Sequence, residues 1–193
     1  MPRLFSGLEI PAALGERLAM LRAGLSGARW IDPENYHLTL RFIGDVDDIT
    51  GREFAAQLAR IRSDRFELAL QGLGSFGGRK PRAVWAGVAP SPALASLQRA
   101  HERAARSAGL PPEGRNFTPH VTLARLRNVR APAVAAYLEA NGAFQSAPFP
   151  VDRFVLLSSR ASTGGGPYVI EETYPLGDGD DALAEPAQAG PQV

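Results

Sequence analysis

Cysteine is absent from this sequence, which removes disulfide frameworks and thiolate metal sites from consideration. Histidine is scarce, with three in the chain, so a pattern that uses two of them is informative. No run approaches the ~18 consecutive apolar residues that a membrane-spanning helix needs. Nor does the chain open on a charged region followed by a long apolar run; it passes directly into a strand pattern. A soluble cytoplasmic protein with no membrane partner is the expectation. Charge is nearly balanced at +1, yet residues 178–193 hold Asp178, Asp180, Asp181 and Glu185 with no Lys or Arg. Without that stretch the body carries about +5, a sign that suits an anionic ligand.

What remains is ordinary globular material, 45% hydrophobic and 21% charged over 193 residues. That is enough for one substantial core, or two small lobes sharing one. Arg3 to Ile10 predicts a first strand with Gly7 at a bulge. Leu14, Leu18, Leu21 and Leu25 then recur at helical spacing through to Gly27, after a proline, Pro11, that a first helical turn tolerates. Ala28 to Ile31 is extended, and Asp32-Pro33-Glu34-Asn35 is a turn by composition. Asp47 or Asp48 caps a second helix bearing Phe54, Leu58 and Ile61.

Phe66 to Leu70 alternates as a strand. Gln71 to Gly78 reads as a glycine-rich loop, followed by Arg79, Lys80 and Arg82. A phosphate cradle and a hairpin connection both fit that composition; no nucleotide fingerprint follows, which favours the hairpin. Pro81 to Val88 returns as a strand, and Ser91-Pro92 opens a third helix whose His101 lies beside the apolar stripe and reads as structural. A strand from His120 to Leu126 and a short helix from Pro132 to Ala140 come next. Phe149 to Leu157 and Tyr168 to Leu176 form a closing strand pair, joined by a Ser- and Gly-rich stretch expected to be mobile. The expected organisation is a single bilobal domain over residues 1–177 and a disordered acidic tail over 178–193. Helices and strands in this irregular order argue for an α+β fold over a doubly wound parallel sheet.

Two strands stand out. Tyr36-His37-Leu38-Thr39-Leu40 and Pro119-His120-Val121-Thr122-Leu123 both carry His-x-Thr-Leu with an apolar residue between, an HxTx motif used twice. Residues i and i+2 of a strand share a face roughly 7 Å apart, so His37 projects with Thr39, and His120 with Thr122. Two imidazoles can divide proton transfer, one taking a proton from a nucleophile and the other protonating a leaving oxygen. Two hydroxyls can donate to phosphoryl oxygens, and an arginine completes charge stabilisation. Arg41 continues the alternation of its strand and is placed on the cleft face. Arg125 stands at odd spacing from His120 and faces away if its strand stays regular. Neither motif carries an acidic residue at i+2 or i+4, so the set does not read as a zinc site; no metal and no cofactor are expected.

The sequence resembles the two-histidine phosphoesterase superfamily, and most closely the RNA 2′,3′-cyclic phosphodiesterase family, historically called 2′–5′ RNA ligase. The resemblance covers residues 3–176. It rests on Arg3-Leu4-Phe5, Ala28-Arg29-Trp30, the segment from His37 to Gly44, Val84-Trp85-Ala86-Gly87-Val88, the segment from Phe117 to Arg125, and Tyr174-Pro175-Leu176. It implies a bilobal fold with two pseudo-symmetric, mostly antiparallel sheets, helices on their flanks, and the active site between them. It further implies metal-independent opening of a terminal 2′,3′-cyclic phosphate on RNA, or on a nucleoside, to a 2′-phosphate and a 3′-hydroxyl. By the same resemblance His37 is the general acid, His120 the general base, Thr39 and Thr122 the phosphate donors. An arginine at the Arg125 position lies near the phosphate, which requires a bend in that strand. A monomer with no obligate protein partner is expected. The residues leave open a phosphodiesterase for another small cyclic phosphate or a 2′–5′ oligonucleotide, and a non-catalytic RNA- or nucleotide-binding module.

Overall fold

The computed structural model describes residues 3–159 and 166–177. The expected acidic tail and most of the Ser- and Gly-rich connection, residues 160–165, lie outside them. Strand β1 (Arg3–Glu9) opens the chain, followed by helix α1 (Ala12–Ala19). This helix ends eight residues short of the predicted Gly27. The carbonyl of Leu21, which a continuing helix would use internally, accepts the Tyr137 hydroxyl at 2.9 Å. Gly24 and Gly27 then turn the backbone with φ of 78° and 82°. Leu18 and Leu25 are still buried, so the apolar spacing reports burial here and not helix length.

Strand β2 (Ala28–Trp30) and a 3-10 turn at Pro33–Asn35 lead into β3 (His37–Asp45). Helix α2 (Asp48–Leu58) starts where expected, because the Asp47 carboxylate accepts the Thr50 N–H at 2.8 Å. Strands β4 (Phe66–Leu68), β5 (Leu70–Phe76) and β6 (Ala83–Val88) follow. The glycine-rich stretch is therefore mostly strand rather than loop. Gly74 pairs with Trp85, and a Cβ on it would come within 2.3 Å of the indole. The glycine makes room for a ring, and the loop shrinks to a tight turn at residues 77–80.

Helix α3 (Pro92–Ser107) is capped by the Ser91 hydroxyl, which accepts the Leu94 N–H at 3.2 Å. After it come β7 (His120–Leu126), α4 (Ala131–Asn141), β8 (Phe149–Val151), β9 (Arg153–Ser159) and β10 (Tyr168–Pro175). The class is α+β, and the paired strands are antiparallel. An eight-stranded sheet runs β10-β9-β1-β3-β7-β6-β5, with β2 also on β7; a second sheet pairs β4 with β8. Within the large sheet two halves are recognisable, one around β3 and one around β7. They meet at a single pair, Leu38 opposite Val121.

Leu14 and Leu18 of α1, Phe54 and Leu58 of α2, Leu94 and Leu97 of α3, and Val134 and Tyr137 of α4 share one apolar cluster with Leu38, Leu40, Val121 and Leu123 of the sheet. Burying a side chain of that size contributes about 1.5–3 kcal/mol, so the stability resides on the helix-packed side. His37, Thr39, His120 and Thr122 alternate with these core residues and stay half-exposed on the other side. There the apolar packing is slight: Phe5, Val155 and Leu157 with Tyr168 against them. Among the described residues no helix is long and apolar enough to cross a membrane.

Candidate active site

The Leu38–Val121 pair fixes the geometry of the site. Each residue is the middle of its own His-x-Thr, so antiparallel pairing at that point creates a local twofold axis. Carried one residue either way, the register sets His37 across from Thr122 and Thr39 across from His120. Side chains directly opposite in such a pair have Cβ atoms about 4.5–5.5 Å apart.

Both imidazoles are held alike. Nδ1 of His37 bonds the Asn35 carbonyl at 2.9 Å, and Nδ1 of His120 bonds the Thr118 carbonyl at 2.6 Å. A carbonyl can only accept, so each Nδ1 carries the proton and each Nε2 is left for chemistry. Aromatic walls fix the ring planes. Phe5 and Tyr168 lie 4.8 and 4.7 Å from the His37 ring; Phe76 and Trp85 lie 4.8 and 5.9 Å from His120. The Asn35 side chain also accepts the Tyr168 backbone N–H at 3.1 Å, so one residue orients the first imidazole and anchors its wall. The sequence reading missed these supports. A backbone carbonyl has no side-chain signature, and the four rings come from distant strands.

The two motif strands also carry matching bulges. Thr39 pairs with Gly7 and Arg41 with Ser6, which leaves Leu40 extra; Thr122 pairs with Trp85 and Ala124 with Val84, which leaves Leu123 extra. An extra residue reverses the alternation beyond it. The fifth residue after each histidine, Phe42 or Arg125, thereby returns to the open side, and both are exposed. Arg41 and Ala124 turn inward.

This corrects the placement of Arg41. Its side chain is 7% exposed; it touches the cavity wall, but its guanidinium is taken up by carboxylates and carbonyls and does not stand open in the cleft as alternation alone would have it. It pairs with Glu102 at 2.8 Å and Glu113 at 3.7 Å, and donates to the carbonyls of Phe42 and Pro111. Arg125, past the bulge in β7, lies on the open side as the resemblance expects. Its charge acts on both imidazoles, and among the described residues it has no ion pair.

Thr39, His120 and Arg125 line a cavity of about 610 Å³, to which Arg41, Phe42, Arg82 and Phe117 also contribute. His37 and Thr122 are not among its lining residues; the cross-strand register sets them opposite each other, next to Thr39 and His120. A larger cavity, about 860 Å³, is lined by Glu9, Glu16, Asp32, Glu34 and Asp152 against one cation, Arg153. Its carboxylates repel an anion, so it is not a phosphate site.

Burial lowers the His37 pKa to about 4, and the neighbouring His120 and Arg125 charges act in the same direction. His120 is also lowered, first by burial and then by Arg125. With both shifted below 6.5, the two rings are neutral near pH 7. Their proton affinity rises when an anion enters. His101 is fully buried, bonded through Nδ1 to the Ser6 hydroxyl at 2.8 Å and packed on Phe154; it takes no part in the cleft. Among the described residues no group of three or more His, Asp or Glu could hold a metal ion.

A family model for the 2′–5′ RNA ligase superfamily matches residues 10–163. An RNA 2′,3′-cyclic phosphodiesterase of Aeropyrum pernix is 40% identical over 133 residues, covering 65% of this chain and 76% of the relative. The Escherichia coli protein of that name is 34% identical over 130 residues, covering 64% and 71%. A crystal structure of E. coli LigT complexed with 3′-AMP superposes with a TM-score of 0.72 at 28% identity, over 92% of this chain and 99% of the other. With more than half its length matched and the paired motifs seated in one cleft, this chain belongs to the 2′–5′ RNA ligase superfamily.

Proposed function

We propose that this protein is a phosphodiesterase that opens the terminal 2′,3′-cyclic phosphate of RNA to a 2′-phosphomonoester and a 3′-hydroxyl. Supporting the reading are the curated relatives named for that activity. The observation that carries it is the mirrored pair of imidazoles, each bonded at Nδ1 to the carbonyl two residues earlier. That arrangement presents two Nε2 atoms across one twofold axis, which suits in-line displacement at phosphorus.

His120 Nε2 takes a proton from water as the water oxygen bonds to phosphorus. The bond from phosphorus to the 3′-oxygen breaks, and the protonated Nε2 of His37 delivers its proton to that oxygen. Thr39 and Thr122 donate to the non-bridging oxygens, and Arg125 offsets the charge that grows there. Neither threonine hydroxyl has a partner among the described residues, so both can turn to a ligand. A bound anion raises the His37 pKa from the value of about 4 that burial sets. Arg41 has no direct part; it braces the 111–115 segment through Glu102 and Glu113.

The larger downward pKa shift of His37, to about 4, favours the reverse assignment, with His37 as base and His120 as acid. A p-nitrophenyl phosphodiester separates the two, since its leaving oxygen needs no acid. The acid's alanine variant keeps near-normal turnover of that substrate, whereas the base's variant loses it. The reaction itself is tested by product analysis on an oligoribonucleotide ending in a 2′,3′-cyclic phosphate. A 2′-phosphate product, formed equally with and without chelator, is expected. A 3′-phosphate product, or an intact cyclic end, refutes the proposal.

A further inference from the structure

We infer that the tip of the β5–β6 hairpin, carrying Arg79 and Lys80, binds the ribose-phosphate backbone of RNA just upstream of the reacting end. The inference rests on the activity proposed above and extends it from the terminal phosphate to a polymer. The hairpin borders the cavity, since Phe76, Gly77 and Arg82 form part of its wall beside His120 and Arg125. Its turn is tight. The Lys80 N–H bonds the Gly77 carbonyl at 3.0 Å and the Arg82 N–H bonds the Phe76 carbonyl at 2.8 Å. Gly77 has φ 108°, and a Cβ there would meet the Lys80 carbonyl oxygen at 2.2 Å. The basic tip is thus held at a fixed place on the rim.

The charges at that tip are not explained by the fold. Arg79, Lys80 and Arg82 are exposed, and none has an ion pair or side-chain hydrogen bond among the described residues. No carboxylate occurs in the sequence between Glu67 and Glu102, so nothing within the hairpin offsets their mutual repulsion. Clustered like charges destabilise a compact state unless a ligand of opposite sign meets them. A nucleoside 2′,3′-cyclic phosphate carries one negative charge, which Arg125 and the two threonines already serve. An RNA chain adds one charge with every nucleotide, and cations on the rim meet those that leave the cavity.

The test compares wild type with Arg79→Gln/Lys80→Gln, two residues outside the cavity wall. Steady-state kinetics are measured on cytidine 2′,3′-cyclic phosphate and on a short oligoribonucleotide ending in the same group. Affinity for the product oligomer is measured as a function of salt. The variant should keep kcat/KM on the mononucleotide within about twofold and lose roughly tenfold on the oligomer, through KM. Its log-affinity against log-salt slope should fall by about 1.4, or about 0.7 for each lost phosphate contact to a single strand. An equal change on both substrates, or an unchanged salt slope, overturns the inference. The binding arm also keeps the two proposals separable. If wild type turns over neither substrate while the variant binds the oligomer more weakly, the activity fails and the hairpin site stands.

Discussion

The half of the sheet around His37 and the half around His120 share one plan and differ in one essential. Each has an imidazole bonded to the carbonyl two residues back, a threonine two residues on, and a bulge at the next leucine. At the position the bulge returns to the open side, the first half presents Phe42 and the second Arg125. Imidazole and hydroxyl are thus duplicated, whereas a cation at the open position comes from one half alone. The inward positions differ too: Ala124 simply packs, while Arg41 ties β3 to α3 and to the segment leading toward Thr118. A twofold arrangement suits a reaction with one oxygen entering and another leaving, and the charge it must meet is on one phosphate.

The comparison breaks most sharply at the imidazoles. His37→Ala and His120→Ala should each lower turnover by about 10²–10⁴, with unaltered circular dichroism. The double variant should lose far less than the product of the two, because the pair acts as a unit. Near-wild-type activity in either single variant would exclude the two-imidazole mechanism. Next is the asymmetric cation. Arg125→Gln should reduce kcat by about 10²–10³, the loss expected for one preorganised charge-stabilising donor. The same change at Arg41 should leave kcat of the folded enzyme within a few-fold, and a larger loss there would return Arg41 to the phosphate.

Thr39→Val and Thr122→Val should each slow the reaction about tenfold to a hundredfold, the worth of a hydrogen bond to a charged group. Equal losses would sharpen the twofold reading; loss of melting temperature at constant specific activity would make the threonines strand residues only. Arg41→Met and Glu102→Gln act on stability instead. Arg41→Met leaves Glu102 without its cation, at up to about 3–5 kcal/mol; Glu102→Gln should cost less, since Arg41 keeps Glu113 and two carbonyls, and the double variant should recover part of the larger loss in denaturant titrations.

The mildest expected effects are on pH. Both cleft imidazoles lie below the ordinary 6.5, so the bell of kcat/KM should centre on the acid side of that value. The kcat bell should move upward, because bound phosphate favours the imidazolium. The limbs belong to the coupled pair, and a kcat/KM optimum above about pH 7.5 would contradict the burial argument. Stability follows the same sign. His37 and His101, held down to about 4 and 3 by burial, stay neutral in the fold but take up protons on unfolding below 6.5. Stability is therefore full above that pH and declines as pH falls toward the folded values, by up to about 1.4 kcal/mol per pH unit for each group. His101→Leu combined with Ser6→Ala should flatten the decline in melting temperature between pH 6.5 and 4; an unchanged slope would remove His101 from the linkage.

By itself the sequence determined which polar side chains share an open strand face and which strands carry them. His-x-Thr-Leu alternation is a local property, and it sorted His37 and Thr39 from Leu38 and Leu40 without any knowledge of neighbours. Caps at Asp47 and Ser91 were legible for the same reason, since a cap and the N–H it accepts lie within one turn. Tertiary structure decided everything that depends on a second strand. Whether Arg41 or Arg125 reaches the cleft turned on bulges created by pairing with β1 and β6, and no alternation rule sees a bulge that a distant partner imposes. The same holds for the end of α1 at the Tyr137 hydroxyl and for the strand conformation of Gly74 beneath Trp85. It holds too for the twofold itself, set by a single ladder pair, Leu38 opposite Val121. Period-2 and period-3.6 patterns encode which face of an element is buried; register, and the side chains it brings together, are set by the partner across the ladder.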